Sequence, residues 1–113
     1  MFGEGKPLSL SIEKEYRQDR DVWEVKISGE VDIYTSDKMK ETLNRIVEEK
    51  NAEIQIDCKE LSYIDSSGLG VLIGVLKKLK EEDKNLVVLN ARSNIVKLLS
   101  ITGLDKVFII REN

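Results

Sequence analysis

Residues 63–82 read Tyr63-Ile-Asp-Ser-Ser-Gly-Leu-Gly-Val-Leu-Ile-Gly-Val-Leu-Lys-Lys-Leu-Lys-Glu-Glu82, and this stretch decides the fold. Leu69, Leu72, Ile73, Leu76 and Leu79 recur at helical spacing and form one apolar stripe that must face a sheet. The spacing predicts a helix from about Ser67 to Glu82. Its opposite face carries Ser67, Gly70, Val71, Gly74 and Lys78, a low, smooth surface. An interior glycine costs a helix about 0.5–1 kcal/mol relative to alanine, so keeping both Gly70 and Gly74 needs an offsetting gain. The gain could be close packing inside the domain. Because the glycines lie opposite the leucine stripe, a docking face for another protein is the favoured expectation.

Strand patterns lie on both sides of this helix. Ile54, Ile56 and Cys58 alternate with polar residues and lead into it, and Leu86-Val-Val-Leu89 follows it. Further upstream, Leu8, Leu10 and Ile12 alternate with polar partners on a strand over 8–16. The polar run Arg17-Gln-Asp-Arg-Asp21 reads as a hairpin turn. Trp23, Val25 and Ile27 resume the alternation on a second strand that stops near Gly29. Met39, Leu43, Ile46 and Val47 give a helix over 37–50 with Ser36 placed to cap it. The last helix runs from Ser93 or Asn94 to Gly103, whose missing Cβ suits a left-handed C-terminal cap, and Val107-Phe-Ile-Ile110 closes the chain as a strand. An antiparallel hairpin followed by alternating helices and strands predicts an α/β fold. Its mixed sheet has an antiparallel N-terminal hairpin and parallel later strands, covered by about three to four helices.

At 113 residues the chain has the size of a single domain, 1–113, with residues 1–7 expected to be a flexible N-terminus. The 41% hydrophobic and 35% charged residues fit a folded core beneath a charged surface. A formal net charge of -3 is small and of the wrong sign for direct nucleic-acid binding. Lys77, Lys78 and Lys80 are offset at once by Glu81, Glu82 and Asp83, as on a solvated helix end. The single cysteine, Cys58, excludes an internal disulfide and a multi-cysteine metal site, and its place on an apolar run makes it a small buried hydrophobe. No run of about 18 apolar residues and no signal-peptide pattern occurs, so a cytoplasmic chain without membrane contact is expected.

Ser66 and Ser67 stand where the chain enters the central helix, beside unpaired backbone amides and the positive end of the helix dipole. Serine at such a place is ordinarily a cap. The same position tolerates an added phosphate, which brings about 1.5 to 2 negative charges that the amides partly accommodate and Asp65 repels. A partner docked against Ser66 and the glycine face would then meet bulk and charge, while the fold survives.

Ile64-Asp-Ser-Ser-Gly-Leu-Gly-Val71 resembles the phosphorylation segment of bacterial anti-sigma factor antagonists, members of the STAS domain family. Gly29-Glu-Val-Asp-Ile33 resembles the family's second recurring segment, and the order of elements agrees over roughly residues 8–110. The resemblance implies a partner-switching cycle. The unphosphorylated protein binds an anti-sigma factor that doubles as a serine kinase, and so frees a sigma factor. Phosphorylation at Ser66 ends the binding, and a serine phosphatase restores it. By the same pattern Ser67 is the lesser acceptor and Asp32 a partner contact, its local alternative being a turn or cap hydrogen bond. The expected partner surface is Asp32, Asp65, Ser67, Gly68, Gly70, Val71 and Gly74, on a chain that is a monomer when free. Tyr34-Thr-Ser-Asp37 departs from the alanine- and proline-containing stretch of relatives, which bears on partner identity more than on fold.

An enzyme is the first rival reading. The chain has no histidine for acid–base work and no Gly-x-x-x-x-Gly-Lys-Ser/Thr phosphate loop, and Asp65-Ser66 lacks a visible activating base. No catalytic residue, metal or cofactor is assigned. The second rival is a nucleotide-sensing or scaffold module of the same family in a stress-signalling complex, for which no phosphate-cradling loop is visible.

Overall fold

A computed structural model of the chain describes residues 10–112. The N-terminal segment expected to be flexible, and the first two residues of the expected first strand, lie outside the described residues. Strands β1 (Leu10–Arg17) and β2 (Val22–Val31) pair antiparallel, with Leu10 opposite Gly29 and Arg17 opposite Val22. Helix α1 (Ser36–Glu49) follows. Next come β3 (Glu53–Asp57), β4 (Leu61–Ile64), α2 (Ser66–Glu81), β5 (Leu86–Leu89), α3 (Ser93–Ile101), a 3-10 turn (Leu104–Lys106) and β6 (Ile109–Arg111). The sheet order is β1-β2-β3-β5-β6, and every pairing beyond the hairpin is parallel. The expected mixed sheet is therefore present, covered among the described residues by three helices and one 3-10 turn.

Two strands share one edge of β2. β3 lies along Val22–Lys26, and β4 continues beside Gly29–Val31 after a register shift between Gly29 and Glu30. The shift needs a residue with φ of +105°, which Gly29 adopts without strain. The amide of Gly29 donates to the Glu60 carbonyl at 2.9 Å, and Ser62 Oγ donates to the Gly29 carbonyl at 3.0 Å. β2 thus runs past its expected end at Gly29. β4, which the alternation did not predict, is the piece that delivers the chain to the start of α2.

The buried residues of alternate strand positions, among them Val25, Ile27, Ile54, Ile56, Leu86 and Val88, meet Met39, Leu43, Leu72, Leu79, Ile95 and Leu99 of the helices in one core. The intervening strand residues, such as Glu13, Lys26, Asp57 and Arg111, line a cleft of about 590 Å³ on the other face of the sheet. The buried stripe of α2 is Leu69, Leu72, Val75, Leu76 and Leu79. Val75 takes the place expected for Ile73, which is half-buried at the margin. Gly103 has φ of +76° just after α3, the left-handed turn its sequence predicts. β6 begins at Ile109 rather than Val107, because residues 104–106 coil into the 3-10 turn and leave Val107 exposed. Cys58 is buried, and loss of hydration pushes its thiol up to about 12.

Candidate functional site

The site is built where β4 turns into α2. Asp65 is the N-cap, in extended conformation, and its Oδ1 accepts from the amide of Ser67 at 2.9 Å and of Gly68 at 3.4 Å. The same oxygen accepts from Ser67 Oγ at 2.5 Å. The Asp65 backbone amide donates to the Val31 carbonyl at 3.1 Å, which fixes the cap to the end of β2. The Ser67 hydroxyl above all holds the Asp65 carboxyl below its ordinary range; burial opposes it, and the amides of Gly68 and Ser67 add individually smaller lowering effects. Asp65 is therefore an anion at neutral pH. The capping role expected of a serine belongs to this aspartate.

Ser66 occupies the first helical position and is exposed, and its hydroxyl makes no hydrogen bond among the described residues. Ser67 is half-buried and committed to Asp65. Gly68 departs from the expectation of a partner contact: it is buried beneath β2 and β4. A Cβ there would come within 2.6 Å of both Ile64 Cγ1 and Val31 Cγ1, so this glycine serves close packing within the domain.

Gly70 and Gly74 are exposed, with open space where a Cβ would stand. Packing inside the domain does not account for them. Together with Val71, which is half-buried against the core, they floor a groove of about 380 Å³ between α1 and α2 whose walls include Ser36, Lys40, Asn44, Ser67 and Lys78. Lys78 Nζ donates to Asn44 Oδ1 at 3.0 Å across that groove. A second groove, on the α3 side of Ser66, is lined by Tyr63, Leu69, Asn94 and Leu98. Ser66 stands at the rim of this second groove, and its neighbour Ser67 at the rim of the first.

Asp32 lies in the loop from β2 to α1 and is half-buried. Its Oδ1 accepts from the amides of Tyr34 at 2.9 Å and Thr35 at 3.1 Å and from Thr35 Oγ1 at 3.2 Å. Its carboxylate thus organises the turn, the local alternative to a direct contact. Thr35 is the N-cap residue of α1, and Ser36, expected in that role, is buried in the first turn. The ordered loop displays Ile33 and Tyr34, which are 70% and 90% exposed. Sequence reading passed over this pair and half-exposed Tyr63. The available signal was a pair of large apolar residues in a loop rather than at a core-facing strand or helix position.

Among the described residues no group of three or more metal-ligating side chains converges, and no helix is long and apolar enough to cross a membrane. In this two-layer α/β domain, exposed Ile33, Tyr34, Tyr63 and Ser66 all lie where the adjacent strands β2 and β4 hand over to helices. The chain belongs to the STAS domain family, whose model matches residues 13–113. It is 38% identical over 105 residues to an anti-sigma-B factor antagonist of Staphylococcus epidermidis, covering 93% of this chain and 95% of the relative. Among solved structures, an anti-sigma factor antagonist from Mycobacterium paratuberculosis superposes with a TM-score of 0.75 at 27% identity, over 89% of this chain and 86% of that one. The Bacillus cell fate determinant SpoIIAA in its phosphorylated form shares the fold, with a TM-score of 0.68 at 20% identity over 88% of this chain and 90% of its own.

Proposed function

We propose that this chain is an anti-sigma factor antagonist. Its unphosphorylated form binds an anti-sigma factor that is also a serine kinase and so releases a sigma factor. Phosphorylation of Ser66 ends the binding and a serine phosphatase restores it. The names of its relatives support the first part of this reading. The observation that carries the second is an exposed, uncommitted Ser66 hydroxyl beside a helix face whose Gly70 and Gly74 meet nothing within the domain.

The chemistry follows from the position. Ser66 Oγ attacks the γ-phosphorus of ATP held by the kinase; the new O–P bond forms as the bond to the β-phosphate oxygen breaks. ADP leaves, and the serine proton passes to the kinase or to water. The product carries about 1.5 to 2 negative charges next to the Asp65 carboxylate. A docked partner then meets added bulk and a phosphate dianion, and burying that charge without a partner group is costly. The core is not involved, so the switch acts on association alone.

The test uses the anti-sigma factor encoded in the same genome. Ser66→Ala is expected to abolish phosphate incorporation and keep the wild-type Kd. Ser66→Asp is expected to weaken binding by about tenfold or more, since each tenfold is about 1.4 kcal/mol. Equal affinity of the two variants would overturn the reading. Tight calorimetric binding of GTP or ATP to the isolated chain would favour a nucleotide-sensing module instead.

A further inference from the structure

We infer that Asp65 is the positioning residue that selects Ser66 over Ser67 as the phosphate acceptor, by committing the Ser67 hydroxyl and leaving that of Ser66 free. The inference rests on the reading that this segment is phosphorylated, and adds what decides between two adjacent serines. Both have the same nucleophilic group, and they are consecutive residues in the first turn of α2. What differs is the hydrogen bonding. Ser67 Oγ donates to Asp65 Oδ1 at 2.5 Å, whereas Ser66 Oγ has no partner among the described residues.

Esterifying Ser67 would remove the proton that makes this short contact attractive. An ester oxygen and a carboxylate oxygen, both acceptors only, would face each other with a phosphate dianion attached. To escape, either the Ser67 side chain would have to leave its present rotamer for one more crowded by the preceding turn, or Asp65 would have to turn away and release the amides of Ser67 and Gly68 that it caps. Gly68 adds a constraint, because it is packed against Val31 and Ile64 and leaves the first turn little room to shift. Phosphorylating Ser66 breaks no hydrogen bond and moves no buried atom. The hydrogen bond to Asp65 could instead activate Ser67 as a nucleophile. Phosphoryl transfer through a loose transition state gains little from such activation, so the cost in the product decides.

The inference is tested without any kinase by placing phosphoserine genetically at position 66 or 67 of the full chain and following thermal unfolding through Trp23 fluorescence. Phosphoserine at 67 is expected to lower Tm by about 5 °C or more, and phosphoserine at 66 to leave it within about 2 °C of the unmodified chain. Asp65→Asn keeps an amide-accepting oxygen at the cap and removes the negative charge, so it should recover much of the loss at 67 and change little at 66. Equal Tm values for the two phosphorylated forms, or no recovery with Asp65→Asn, would overturn the inference. With the kinase, phosphosite mapping is expected to find Ser67 modified at least tenfold more slowly than Ser66 in the wild-type chain, with the ratio falling in Asp65→Asn. An unchanged ratio in that variant would also overturn it. Absence of phosphate from both serines would instead defeat the proposed function, while the thermal comparison would still decide the role of Asp65.

Discussion

The three glycines of α2 fall into two kinds of local environment, and single substitutions separate them. Gly68 is pinned: a methyl group would press on the branched carbons of Val31 and Ile64 at 2.6 Å, which cannot swing aside as a long flexible side chain would. Gly68→Ala is expected to destabilise the fold by about 1–3 kcal/mol, the usual cost of overpacking a core. Gly70 and Gly74 have room, and alanine at either is expected to stabilise the free chain by about 0.5–1 kcal/mol through helix propensity. If the bare face is a docking surface, the same two methyl groups stand in the way of a partner. Gly70→Ala and Gly74→Ala should therefore raise the urea midpoint and weaken anti-sigma factor binding together. Chemical denaturation and titration of the same samples check this, and a gain in stability with unchanged affinity would mean that the partner does not use this face.

At the scale of elements, the start of α2 depends on the ionised form of Asp65. Its carboxyl is depressed by the Ser67 hydroxyl and the amides of the first turn. The native state thus holds its proton less tightly than the unfolded chain does. The resulting stability is fully present above the unfolded value near 3.8 and is lost as pH falls through the lower folded value. Wild type and Asp65→Ala should differ most in Tm above about pH 5 and converge as the pH drops below the unfolded value, which thermal melts at stepped pH will show. This cap was within reach of the sequence, since Asp65 precedes a helical pattern; reading the serines as caps missed that the aspartate, one residue earlier, reaches both free amides. β4 was harder to see. Leu61-Ser-Tyr-Ile64 is four residues long without clear alternation, and its pairing with Gly29–Val31 is a contact across about thirty residues that no local pattern encodes. The inward stripe of α2 had the opposite difficulty. Leu69 through Leu76 is apolar almost all round, so the sheet, not the period, chose Val75 over Ile73. The hairpin, the three helices and the left-handed turn at Gly103 were legible because each rests on a local signal, whether alternation, 3.6-residue spacing or a residue without a Cβ.

Across the whole molecule, the proposed docking surface at the start of α2 is distinct from the buried core, and Cys58 offers a measure of that separation. Its thiol sits at the end of β3, buried in the core cluster, and Sγ lies 3.7 Å from the Ile56 carbonyl. Burial first, and the nearby Asp57 charge second, push its pKa up to about 12. Above about pH 9 an unfolded thiol loses its proton while the native one keeps it, so the unfolded state binds fewer protons and stability falls as pH rises toward 12. Two results are expected. Cys58→Ala should flatten the alkaline decline in Tm, at the cost of a small cavity that lowers Tm at neutral pH. An aromatic disulfide reagent at neutral pH should label Cys58 only as fast as the chain opens, because the reactive thiolate is suppressed and the sulfur is enclosed. If phosphorylation of Ser66 changes the docking surface alone, labelling should run at the same rate in the phosphorylated and unphosphorylated chains while partner affinity differs. A several-fold faster reaction in the phosphorylated chain would show that the modification loosens the core, and the switch would then be a change of fold stability rather than of surface.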